Sequence, residues 1–206
     1  MTVIYSLLIG VGIFIISTVI VGKSLRRVHS KRAVERITRI MHVILIITVI
    51  APLLFAIFNL SENIYNFDQI LNIQSLPFPS ILTKIGVVMI IIGVVVMVVA
   101  QTLLLGFGDG LALLSLSKKL TVNVLYERSR NPMILGDFLI GVGLGLLTGS
   151  TFFTLFMLLV YFPAIIFWLK YVEEYELEMR FGESYKEYKQ QVPFLIPTFR
   201  RISNAH

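Results

Sequence analysis

"MILGDFLIGVGLGLLTGSTFFTLFMLLVYFPAIIFWL", residues 133–169, holds two apolar runs with a short polar joint between them. Asp137 is the one charged residue in it. The runs cover 133–147 and 152–169, and Thr148, Gly149, Ser150 and Thr151 join them. A membrane-spanning helix needs about 20 apolar residues. The first run is short for that, and no charge stands in the joint. The simplest reading is a tilted helical hairpin that returns to the side of the membrane it left.

Three more runs of spanning length precede it: residues 3–22, 41–60 and 85–107. Pro52 predicts a kink in the second. The Val and Ile of the third mean lipid contact rather than a strand. The expected fold is all-α and integral to the membrane, with five transmembrane helices. Composition agrees. The chain is 56% hydrophobic and 15% charged, where soluble domains carry about 25% charged residues. The first run lacks a small-residue cleavage site, so it reads as a retained helix and not a signal peptide.

Composition also excludes chemistry. With no cysteine, disulfides, thiolate metal sites and thiol catalysis are ruled out. The histidines are His29, His42 and His206, too few to supply a metal centre or a Ser-His-Asp triad, and no metal site is expected. The net charge of +6 is explained without nucleic acid. Residues 23–39 hold seven Lys/Arg, 61–83 none, 109–131 four and 170–206 six. Basic residues gather in cytoplasmic loops, so the N-terminus is expected outside and 23–39, 109–131 and 170–206 inside. Residues 1–108 then form three N-terminal helices. Residues 109–206 form a linker, the hairpin and a tail, and whatever chemistry exists sits there at the cytoplasmic surface.

Two glycine patterns need sorting. "GVGLG" (Gly141, Gly143, Gly145) imitates a nucleotide-binding loop, which requires a strand before it. Here it lies inside an apolar run, and Gly141 with Gly145 reads as a close helix contact. "GFGDG" (Gly106, Gly108, Gly110) is either a helix stop with a flexible turn or a backbone that approaches a cofactor closely.

The tail reads as a helix from Trp168 to Arg180 that continues out of the membrane, a break at Phe181-Gly182, and a short helix over 183–191 that stops before Pro193. Glu173 and Glu174 lie just past the apolar run, where carboxylates are costly and usually paired. Glu174 and Glu178 share a face and repel unless a cation lies between them. The pair is either a solvated acidic face or a set of carboxylates held against Arg128, Arg130 or a cationic ligand.

Two motifs now combine: Tyr126, Arg130, Asn131, Pro132, Met133 and Gly136, then Glu173, Glu174, Leu177, Phe181, Gly182, Tyr185, Tyr188, Val192, Pro193, Ile196 and Pro197. Together they resemble the integral-membrane methyltransferases, the superfamily of isoprenylcysteine carboxyl methyltransferases and phospholipid N-methyltransferases. The resemblance covers about the last eighty residues; the first three helices match only in architecture. It implies that S-adenosylmethionine is enclosed at the cytoplasmic face and that a lipid or other hydrophobic acceptor enters laterally from the bilayer. The implied cofactor-binding residues are Tyr126, Arg130, Asn131, Pro132, Met133, Gly136, Glu173, Glu174 and Tyr188. Arg130 would hold the carboxylate, Glu173 or Glu174 the amine, and the tyrosine rings the sulfonium or adenine. Asn131 would reach a ribose hydroxyl or adenine edge. Arg180, Lys170 and Asp137 are the candidate catalytic groups. Asp137 either neutralises a cationic substrate amine or pairs with an arginine. Val124, Ile134 and Lys170 stand where the family carries Gly, an aromatic residue and Arg. Two rivals remain: an NADPH-dependent reductase of the sterol-reductase kind, and a scaffold of the same fold without turnover.

Overall fold

The computed structural model describes residues 1–59, 61–108 and 125–197. The expectations that concern 109–124, among them Val124 and most of the linker, lie outside the described residues, as does the end of the tail. Among the described residues every regular element is helical: α1 (Thr2–Leu25), α2 (Lys31–Phe58), α3 (Phe67–Leu71), α4 (Pro79–Gly108), α5 (Pro132–Thr148), α6 (Thr151–Phe181) and α7 (Glu183–Gln191).

Four of these, α1, α2, α4 and α6, are long and apolar enough to cross a membrane. The 17 residues of α5 rise about 1.5 Å each, which falls short of a hydrocarbon core of about 30 Å. The hairpin joint is where it was expected. Gly149 ends α5 with φ 69°, a left-handed turn that glycine adopts without strain. Ser150 then caps α6 by accepting from the Phe153 N–H.

Helix α2 begins ten residues before its expected start at 41. The basic stretch is therefore largely helical and not a loop. The reason is its two-sidedness: Val34, Thr38 and Met41 are buried on one side, while Arg32, Arg36 and Arg39 are exposed on the other. Just before Pro52, where a kink is expected, stands a π-helical stretch, Ile46–Ile50. Proline has no N–H for the carbonyl four residues earlier, here that of Thr48. Gly10 of α1 packs against that carbonyl, and a Cβ on Gly10 would stand 1.8 Å from the oxygen. Pro163 has the same relation to a second π stretch, Met157–Tyr161. A third, Leu169–Glu173, has no proline and leads directly into Glu174.

Helix α5 packs between α4 and α6. Facing α4, Gly143 meets Gly86 and Gly136 meets Gly93, each glycine within 3 Å of the other's carbonyl if a Cβ were added. Facing α6, Gly141 meets Met157 and Gly145 meets Thr154. The glycines of the 141–145 pattern thus serve helix contact on both sides of α5, as read from sequence for Gly141 and Gly145. Helix α1 lies on the other side of α6, with Phe14 edge-on to Trp168 at 5.9 Å and Gly22 against the Tyr171 ring.

The bundle has two distinct ends. At one, Asp68 is buried and accepts from the Ser150 hydroxyl at 3.0 Å and from the Thr151 and Phe152 N–H groups at 2.7 and 2.9 Å. Asp68, in the short helix α3, is thus the cap that closes the hairpin joint. At the other end the α1–α2 turn, residues 125–131, the end of α6 and α7 come together. Apart from Gly136, which packs against α4, the groups that carry the two sequence motifs lie there.

Candidate functional site

Residues 125–131 form a tight turn sewn to the tail by main-chain contacts. The Arg130 N–H donates to the Pro193 carbonyl at 2.9 Å. The Ser129 hydroxyl donates to the Leu195 carbonyl at 2.8 Å, and the Asn131 amide to the Phe194 carbonyl at 2.9 Å. The Tyr188 hydroxyl donates to the Tyr126 carbonyl at 2.7 Å. Pro132 is the first residue of α5, a position that needs no N–H and suits its fixed φ. Beneath this seam Tyr185, Tyr188 and Val192 form a small apolar core with Leu177 and Phe181. That core accounts physically for the spacing of the second motif.

The charged centre sits on the seam. The Arg130 guanidinium pairs with the Glu174 carboxylate, and both side chains are about nine-tenths buried, 10% and 9% exposed. The second oxygen of Glu174 takes the Lys189 ammonium at 2.7 Å, and Glu178 takes the same ammonium at 2.9 Å. Lys189 is therefore the cation that allows Glu174 and Glu178 to share a face. Arg128, the alternative partner, is exposed.

Two groups at the centre are left with capacity. The Arg130 Nε is buried and has no hydrogen-bond partner among the described residues. Glu173 makes no hydrogen bond or ion pair among them either. The Tyr126 hydroxyl lies close to Glu173. Its burial, reinforced by that negative charge, pushes its pKa up to about 12, so it stays an O–H donor at neutral pH. Burial also raises Tyr185 and Tyr188.

The other sequence candidates have other surroundings. Gly136 belongs to the α4 contact, where a Cβ would meet Met97 at 2.6 Å and the Gly93 carbonyl at 2.8 Å. Met133 is half-buried in the first turn of α5. The Asn131 amide nitrogen and the Tyr188 hydroxyl are engaged by the chain itself, as given above. Lys170 is exposed and lies 4.8 Å from the Phe194 ring centre, with Arg130 over the same ring at 5.5 Å. Arg180 pairs with the fully buried Glu176 through Nε at 3.0 Å. Asp137 pairs with neither an arginine nor a lysine among the described residues. It accepts from the Tyr161 hydroxyl at 2.8 Å, across α5 and α6.

Glu173 closes the π stretch and Glu174 opens the regular helix that follows. Both oxygens of Glu174 are engaged, by Arg130 and Lys189. Sequence reasoning missed Lys189, Ser129, Phe194 and Glu176. Lys189 meets Glu178 across the Gly182 turn, with φ 63°, and no local periodicity announces such a contact.

A model of the phospholipid methyltransferase family matches residues 82–184, half of the chain. The chain belongs to that family. No curated protein and no solved structure matched it in the other two comparisons. The matched segment of this phospholipid methyltransferase family member runs from α4 into α7 and contains Arg130, Glu173 and Glu174. Lys189 and Phe194, which complete the centre, lie beyond it.

The group that such a family implies is S-adenosylmethionine, and the residues present fit it. A buried guanidinium nitrogen without a partner suits a carboxylate, and the Glu173 carboxylate, one residue before the Arg130 partner Glu174, suits an ammonium. These are the two charged ends of an amino acid.

Proposed function

We propose that the chain is an S-adenosylmethionine-dependent methyltransferase that acts on a lipid or other hydrophobic acceptor at the membrane surface. By its lysine and arginine distribution the site faces the cytoplasm. The observation that supports this reading best is the buried Arg130, held on one side by Glu174 and open at Nε, with Glu173 the residue before Glu174 on α6.

S-adenosylmethionine, when bound, supplies an electrophilic methyl group on a sulfonium. The chain's own work is to bind, orient and exclude water. Arg130 would hold the amino-acid carboxylate, and Glu173 the ammonium. Glu174 and Lys189 keep Arg130 from turning away. The ring of Tyr126 offers a face to positive charge. Methyl transfer to a good nucleophile asks for in-line placement and a dry site more than for acid–base groups. The scarcity of histidine is consistent with that demand. Asp137 lies five residues along α5 from Pro132, about 8 Å deeper at 1.5 Å per residue. It would take the acceptor end of the site, where its carboxylate can orient a polar headgroup below the cofactor.

The test is thermal stabilisation of the purified protein. S-adenosylhomocysteine should raise its melting temperature and NADPH should not. Stabilisation by NADPH alone would transfer the chain to the reductase reading, and stabilisation by neither would favour a scaffold.

A further inference from the structure

The α1–α2 end carries a charged surface that the proposed chemistry does not use. Arg32, Arg36 and Arg39 are all exposed on the first turns of α2. Ile40, Val43 and Ile47, 52%, 53% and 64% exposed, continue the same side of the helix. At 3.6 residues per turn these six positions fall on one face. The opposite face, Val34, Thr38 and Met41, is buried against the bundle.

An exposed apolar stripe on a spanning helix is the part that touches acyl chains. Arg39 stands at the apolar end of that stripe, and Arg36 and Arg32 extend it by about one and two turns, about 6 and 12 Å at 1.5 Å per residue. Headgroup phosphates lie at that level, in the interfacial zone outside the hydrocarbon core. Internal neutralisation is weak. Among the described residues Glu35 pairs only with Arg39, at 3.9 Å, with the arginine 64% exposed. Arginine binds phosphate through paired N–H donors, and basic clusters next to a spanning helix attract anionic lipid.

We infer that the α2 face formed by Arg32, Arg36 and Arg39 above Ile40, Val43 and Ile47 is a docking site for an anionic phospholipid of the surrounding leaflet. Its phosphate sits among the guanidinium groups, and its acyl chain runs down the apolar stripe. The site is separate from the Arg130 centre. The lipid held there is part of the protein's setting and not the methyl acceptor. The N-terminal end of α2 is also tied to the proposed active region, since the Lys31 ammonium donates to the Arg180 carbonyl at 3.3 Å.

The experiment uses the full chain in nanodiscs of mixed phosphatidylcholine and phosphatidylglycerol, with retained lipid counted by native mass spectrometry after release. The wild type should retain phosphatidylglycerol in preference to phosphatidylcholine. The triple variant Arg32→Gln, Arg36→Gln, Arg39→Gln should lower that preference by about a hundredfold, roughly the attraction of three basic side chains to an anionic surface. A charge-matched variant at exposed positions elsewhere, Lys23→Gln, Arg27→Gln, Lys186→Gln, should keep most of it. Inorganic phosphate should not displace the lipid. The inference is overturned if the wild type shows no preference, if the two triple variants lose it equally, or if free phosphate competes. S-adenosylhomocysteine binding by the Arg32, Arg36 and Arg39 variant, measured alongside, should stay at the wild-type value. Loss of lipid preference with that binding intact separates this site from the proposed methyltransferase centre.

Discussion

Arg130 and Glu174 form a buried ion pair that fastens the turn before α5 to the segment where α6 leaves the membrane. Forty-four residues separate them in sequence, and the whole hairpin lies between. Removing one member of a buried pair leaves an uncompensated charge, typically at a cost of about 3–5 kcal/mol. Glu174→Gln, which keeps some hydrogen bonding, should therefore lower stability by about 3 kcal/mol or somewhat less. Melting of the ligand-free variant in detergent checks this. An unchanged melting temperature would mean that the pair contributes little to holding the hairpin to the tail.

Glu173→Gln and Arg130→Ala probe the proposed clamp itself. Hydrogen bonds to charged groups contribute about 1.5–3 kcal/mol. S-adenosylhomocysteine should therefore bind about ten- to a hundredfold more weakly to each variant. Among the described residues Glu173 has no hydrogen bond or ion pair to lose, so its variant should melt close to the wild type. Titration calorimetry on both variants reads the affinities. If Glu174→Gln loses affinity while Glu173→Gln loses only stability, the two carboxylates have exchanged roles.

Much of this arrangement was legible in the sequence because it is local. Helix length, the joint at Thr148–Thr151, the break at Gly182 and the short helix before Pro193 all follow from apolar runs and glycine or proline punctuation. The start of α2 was misplaced because its first turns are amphipathic, and a search for apolar runs passes over a basic helix. The partner of Glu174 and Glu178 could be anticipated as a cation, but its identity, Lys189, depends on how α7 folds back on α6. Asp68 likewise carried no local sign of being a cap, since Ser150, Thr151 and Phe152 stand more than eighty residues away.

Alkaline pH should expose the burial of Tyr126. Its hydroxyl titrates at about 12 in the folded chain against an ordinary 10.0. The unfolded chain therefore loses its proton first as pH rises. Stability contributed by this group is fully present below pH 10 and is lost as pH climbs toward 12. Tyr126→Phe cannot ionise, so its melting temperature should fall less steeply across that window. Some slope should persist, because Tyr185 and Tyr188 are shifted the same way. Parallel curves for wild type and variant would place the Tyr126 hydroxyl in solvent.

The two ends of the bundle make a topological prediction. Ser30 lies in the α1–α2 turn beside the proposed site, and Asn66 lies in the loop that carries Asp68. The chain has no cysteine of its own. Single cysteines at these positions should react with a membrane-impermeant reagent from opposite sides, with residue 66 outside. Labelling of both from one side would overturn the arrangement.

The most direct measurement of the central claim is methyl transfer itself. Membranes containing the protein are incubated with S-adenosylmethionine labelled in its methyl group, and the organic-soluble fraction is separated and counted. The account predicts label in a lipid or hydrophobic product, reduced by at least tenfold with Arg130→Ala, the lower end of the affinity loss expected for that side chain. Label that stays in the aqueous phase, or a lipid product made equally well by the Arg130→Ala variant, would contradict it.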